Sequence, residues 1–316
     1  NVAGDITNAG TLLLTSGTIT LTGNWSNSGT FTAGTGTVNF TGGTGVTQTL
    51  NSGGTGTGKL FYHFTHSGAG TLQLVTNAID IDGNFNNSVG IFDANGKAIS
   101  CAGNWSNSST FTHNNNSVTL DGTNQTFTGP SIFYNLFKTV TSAATLTFDN
   151  TTTQTITNAL ILNGASGQLL SLRSDAAASY NLTLQSGGTQ SLSYLDVQYS
   201  DASLGVKLVG GTTSKDSDYN TNWAFDGTTI TWNGSSSTDW DTAGNWDLGV
   251  VPRSTDSVII PNVTTDPVIS NSNVTIVDLT VQSGGLLTLN SKNLTLTGTL
   301  DCDGTISITN TETLKI

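Results

Sequence analysis

The stretch GNWSNSGTF at 23–31 returns at 103–111 as GNWSNSSTF, with eight of nine residues unchanged. A chain that repeats itself has to be read as a repeat first, because the period dictates the fold. The nonamer is the best-kept copy of a looser pattern: Gly, any residue, an apolar residue, three small polar residues, Gly or Ser, Thr, an apolar residue. It opens at Gly4, Gly23, Gly103 and Gly298, and at Gly83 with one extra residue. Gly4 and Gly23 are 19 apart; Gly83 and Gly103 are 20 apart. A larger block recurs at about 80 residues, where Gln48 aligns with Gln125 and Phe61 with Phe133.

Between the glycines lie runs such as TITLT (18–22), TVNF (37–40), SVTL (117–120) and NLTL (293–296). Alternation of period two puts the apolar members on one side of a strand and Thr or Asn on the other. Hairpins would repeat at about half the observed period. Two or three short strands per 20 residues make one coil of a parallel β-solenoid, so the expected fold is all-β, with coils stacked ~4.8 Å apart. About 15 such coils give a rod of roughly 70 Å.

The pattern implies three inward ladders. Leu21, Ile81, Cys101 and Leu296 stand two before the Gly. Ile6, Trp25, Phe85, Trp105 and Leu300 stand two after it. Leu12, Phe31, Phe111 and Ile306 stand eight after it. Asn8, Asn27, Asn107 and Cys302 read as turn sites, where Asn tolerates left-handed backbone and can bond the neighbouring coil.

Composition narrows the classes of function. Only 9% of residues are charged, and 21 acidic residues face 9 basic ones. A nucleic-acid partner needs clustered cations, so none is expected. No apolar run approaches the ~20 residues of a membrane-spanning helix. The sequence opens without Met or a signal-peptide pattern and is read as a processed chain or the ordered part of one. Low charge with many Thr and Asn suits an extracellular or cell-surface location.

GNWSNSGTF, with GTVNFTG and NLTLQSGG around it, resembles the repeats of large bacterial cell-surface proteins of the adhesin and haemagglutinin-like kind. The segments 191–225 and 231–261 are similar to parts of such arrays. The resemblance implies a right-handed parallel β-helix and a surface location, and brings no catalytic residues with it. We expect a first solenoid at 1–226 and a second segment at 227–316, opened by a Trp- and Ser-rich loop; the two can also be continuous. Neither end carries a capping element, and Gly298 to Gly4 across the two ends counts 22 residues, close to the internal period. The expected role is therefore structural: a surface fibre or adhesin stalk whose partner is itself, in head-to-tail or tandem order. A carbohydrate-binding surface domain, with surface glycans as partners, is the alternative. A polysaccharide-active enzyme or an ice-binding protein fits less well.

No catalytic, cofactor or metal residues are assigned. Asp80 with Asp82, Asp216 with Asp218, Asp239 with Asp241 and Asp301 with Asp303 stand two apart, on one face of a strand, as acid/base or calcium groups would. Beside Gly, Ser, Asn and Thr they also read as turn formers, which is the preferred reading. His63 and His66 should face opposite sides of a strand, which argues against a zinc pair; His113 stands alone. Trp232, Trp240 and Trp246 can stack on sugars, or plug the core where a solenoid is interrupted. Cys101 reads as a small buried hydrophobe, and Cys302 as a free thiol or an inter-subunit cross-link. Asn-x-Ser/Thr sequons occur at Asn24, Asn104, Asn181 and Asn293.

Overall fold

The computed structural model describes residues 1–316. The chain winds as a right-handed parallel β-solenoid of about 15 turns with roughly 21 residues each. Its one helical piece is a 3-10 turn at Ala243–Asn245. The alternating runs behave as their period demands. Val38 and Phe40 are buried in Thr37–Phe40 while Thr37 and Asn39 are half exposed. Ser117–Leu120 and Ala144–Phe148 follow the same rule.

Each coil has three faces. Ten strands stack on the first, from Thr18–Leu21 to Lys215–Asp216. The second begins with Ile6–Asn8, Trp25–Asn27 and Thr47–Asn51 and runs on to Thr110–Thr112. Ile79–Ile81, Ile99–Cys101 and Ser117–Leu120 belong to the third. Beyond them Ser131–Thr139 and Thr153–Asn163 each cover two faces, and their pairing shifts register at the bend between Phe133 and Asn135.

The two copies of the nonamer lie on different faces. Trp25–Asn27 sits on the second face, between Ile6–Asn8 and Thr47–Asn51. Trp105–Asn107 sits on the first, between Phe85–Asn87 and Gln125–Thr128. Eighty residues therefore span three coils and two further faces. One coil is longer than its neighbours: Val38 pairs with Phe64, 26 residues on, whereas Phe64 pairs with Phe85 and Phe85 with Trp105, 21 and 20 residues on. This corrects the expectation of three uniform ladders. Leu21 stacks on the first face, while Ile81 and Cys101 stack on the third. Alternation decides inside from outside; the accumulated length of the corners decides the face.

The first core holds 40 buried residues from Leu21 to Leu208, dense in aromatics. The Trp25 ring meets Phe31 edge-on at 4.9 Å, and Trp105 stacks on Phe85 at 4.0 Å. Burying each such side chain contributes about 1.5–3 kcal/mol. In the end coils the same ladder positions are only half buried, at Ile6, Leu12, Leu300, Ile306 and Leu314, because a coil covers them on one side alone.

A second core of 17 residues runs from Val209 to Leu296. No sheet crosses between the two. Strands up to Trp223–Ala224 pair among themselves, and those from Thr229–Thr231 onward do likewise. The segment 231–256 bridges them instead. Gln190 donates its backbone N–H to the Gly249 carbonyl at 2.9 Å and its Nε2 to that of Leu248 at 2.7 Å. The Arg253 guanidinium donates to the Val209 carbonyl at 3.0 Å.

Candidate functional site

The polar side chains of the repeat are used between coils. Strand ladders break at corners, and there side chains take over the bonding of the backbone. Asn24 accepts the Thr49 N–H at 2.7 Å, and Asn104 accepts that of Thr126 at 2.9 Å. Asp278 and Asn293 accept those of Thr299 and Thr313. Gln48, buried, donates to the Leu21 and Gly23 carbonyls at 3.2 and 2.6 Å. Gln125 does the same to Cys101 and Gly103 at 2.8 and 2.7 Å. Both nonamers thus sit in one hydrogen-bond pattern despite lying on different faces.

The fifth residue of the pattern is not the left-handed turn expected of it. Asn8, Asn27 and Asn107 are buried at strand ends, outside the positive-φ set. Asn8 donates to Asn27 at 2.9 Å, and Asn87 to Asn107 at 2.8 Å. Inside the coil a carboxamide satisfies a neighbour above and below, which outweighs the turn preference of Asn. His66 extends this ladder: its Nδ1 lies 2.9 Å from Asn87 Oδ1, while its buried Nε2 has no partner. Burial lowers its pKa, partly offset by the Asn87 bond. His63 faces outward, and its Nδ1 accepts the Asn84 N–H at 3.0 Å.

Beside the second nonamer lies a group of ionisable residues. Lys138 is buried, and its Nζ donates to the Gly122 carbonyl and to Gln125 Oε1, both at 2.6 Å. Desolvation lowers its pKa to about 8, against the pull of Asp121. Asp80 is pushed up to about 6 by desolvation and by the charges of Asp121 and Asp82. Cys101 is raised to about 12 by burial, as befits an inert thiol. No three His, Cys, Asp or Glu side chains converge as donors for a metal.

Trp232, Trp240 and Trp246 are 0–2% exposed, which corrects their candidacy for carbohydrate contact. Trp246 packs edge-on against the other two at 4.9 and 4.7 Å. Trp232 Nε1 donates to the Thr265 carbonyl at 2.7 Å, and Trp246 Nε1 to that of Trp240 at 2.9 Å. With both ends of each bonded indole engaged they fill the start of the second core, where no sheet continues, and present no ring to a ligand. Cys302 is exposed at the end of Leu300–Cys302, paired with Val281; it is a strand residue, not a turn site, and a free thiol.

Two of the aspartate pairs are turns. Asp216 accepts the Asp218 N–H at 3.0 Å and Asp239 that of Asp241 at 3.2 Å. Asp82 and Asp303 lie beyond their strands, so neither pair shares a strand face.

One exposed arrangement was not anticipated. Tyr199 and Tyr219 stack at 4.7 Å with planes 6° apart, and Tyr219 is 67% exposed. Their spacing of 20, the coil period, was the available signal. A depression at the junction, about 430 Å³, is lined by Gln190, Leu192, Val250, Val251 and Arg253 and is an open trough.

The family described as Domain of unknown function (DUF8693) matches residues 231–315, the stretch that carries the Trp plug and the strands of the second core. No curated protein and no solved structure matches the chain.

Proposed function

We propose that this chain is a rigid segment of an extracellular stalk or fibre, of the kind found in repeat arrays of bacterial surface adhesins, and that its role is mechanical rather than catalytic. The observation that carries this reading is the commitment of the repeat's Asn, Gln and His66 side chains to neighbouring coils, since stiffness is what those bonds supply. The same pattern positions serve in the first coils, at Ile6 and Leu12, and in the last, at Leu300 and Ile306, so one coil design runs through the whole stack.

Negative-stain electron microscopy of native material is expected to show long rods or fibres of one-coil width. Short isolated particles of roughly 70 Å at all concentrations overturn the proposal. Surface proteolysis of intact cells tests the location: fragments of this chain should be released before those of any internal protein.

A further inference from the structure

We propose that the corner carrying Tyr199 and Tyr219 is a binding platform for an uncharged pyranose sugar. This goes beyond the stalk reading and does not depend on it.

The two tyrosines occupy one position in successive coils. Asp196–Val197 pairs with Lys215–Asp216 before the corner, and Asp201 bridges to Thr221 after it. Both residues adopt left-handed backbone, with φ of 60° and 61°. A side chain with a Cβ is disfavoured there, and Asn or Gly would make the turn with less strain. Asn222 and Asn95 do so elsewhere in the chain, at φ 59° and 47°. Two tyrosines in register at such sites point to a use for the rings, because strained backbone gathers at ligand-holding positions.

The rings stack face to face. Tyr199 covers one face of Tyr219; with 67% of Tyr219 exposed, its other face is open to solvent. The chain leaves the stack after 226 for the junction segment, so no third coil covers that face. A flat aromatic face carries negative charge density and attracts the polarised C–H bonds of a sugar ring.

The rim completes the chemistry. Asp216 and Asp218 are exposed beside Tyr219. One oxygen of Asp216 accepts the Asp218 N–H at 3.0 Å and Asn220 Nδ2 at 2.6 Å, which fixes the carboxylate and leaves its second oxygen to accept. Beneath, Asp196 is held by Arg173 at 2.6 Å and by Ser217 at 2.6 Å, so the corner is braced before any ligand arrives. Acceptors without clustered cations favour a ligand rich in hydroxyl donors. A net charge of −12 disfavours anionic sugars.

The test uses the whole chain with ring-labelled tyrosine and a panel of cellohexaose, laminarihexaose, mannohexaose and chitohexaose at millimolar concentration, followed by NMR and calorimetry. At least one is expected to shift the Tyr199 and Tyr219 resonances. Tyr219→Asn, which suits the left-handed turn and should leave the thermal melt unchanged, is expected to weaken binding at least about tenfold. Tyr219→Trp should retain it. No shift with any member of the panel, or binding that survives Tyr219→Asn, overturns the proposal. So does a shift that follows protein concentration alone, which marks a contact between copies.

Discussion

The nonamers at 23–31 and 103–111 share sequence and hydrogen bonds but not a face of the solenoid. In each, an Asn caps the next coil and a Gln from that coil reaches back to two carbonyls. The unit that is repeated is therefore a corner with its bonds, and it works at any corner. The copies differ in how far their buried polar atoms are satisfied. Trp105 Nε1 donates to Ser131 Oγ at 3.0 Å, whereas Trp25 Nε1 is buried with no partner. Gln125 Oε1 receives a buried ammonium from Lys138, whereas Gln48 Oε1 receives the Gly42 N–H at 2.6 Å. One corner is braced by a charge, the other by backbone.

The largest expected effect tests what the copies share. Trp25→Ala and Trp105→Ala should each cost about 3–5 kcal/mol in denaturant unfolding, because each empties an aromatic cluster. A cost below about 1 kcal/mol for either would mean that its corner is not part of the core.

Next in size is the pair that should split them. Gln125→Leu is expected to cost about 3 kcal/mol, since it strips an acceptor from a buried ammonium, and Gln48→Leu about 1–2 kcal/mol. Adding Lys138→Met to Gln125→Leu should recover part of the loss in a double-mutant cycle. Equal costs for the two glutamines would remove the distinction. Smaller again, Trp105→Phe should cost about 1 kcal/mol more than Trp25→Phe, the worth of one indole hydrogen bond.

The last comparison is by pH. Lys138 titrates near 8 when folded and near 10.5 when free. Between those values the unfolded chain holds the extra proton, so stability should rise with pH across that window, and Lys138→Met should flatten the rise. Asp80 runs the other way at low pH. Its folded value of about 6 lies above the ordinary 3.8, so the native state holds the extra proton and stability should fall as pH rises between them. Asp80→Asn should remove that fall. Hydrogen exchange at the two corners reads both effects locally, and the first corner should show neither.

The fold class was legible because alternation and a period near 20 are consequences of strand geometry and coil length. The inward assignment of Trp25, Phe85 and Trp105 followed from the same rule. The face of each strand was not legible, because it depends on the summed lengths of corners, and the 26-residue coil carries no signature in any one residue. The buried Asn ladder was missed for a related reason. Asn is a turn former by local preference, and only stacked coils offer it partners above and below. For Trp232, Trp240 and Trp246 the core plug was the preferred reading and the sugar platform the lesser one, and burial decides for the plug; the sequence left both open because a loop does not reveal what lies beneath it. Tyr199 and Tyr219 stood one period apart in plain view, but the exposure of Tyr219 depends on the chain leaving the stack after it.

The offset between the nonamers has a geometric consequence for any array built from this 80-residue unit. A unit of whole coils would line up its outward side chains in a stripe along one side of the rod. A unit that falls a third of a turn short carries each surface residue to the neighbouring side at every repetition. Three units would display the same group on all three sides, as the thread of a screw does, and a rod so decorated offers the same contacts from every direction of approach.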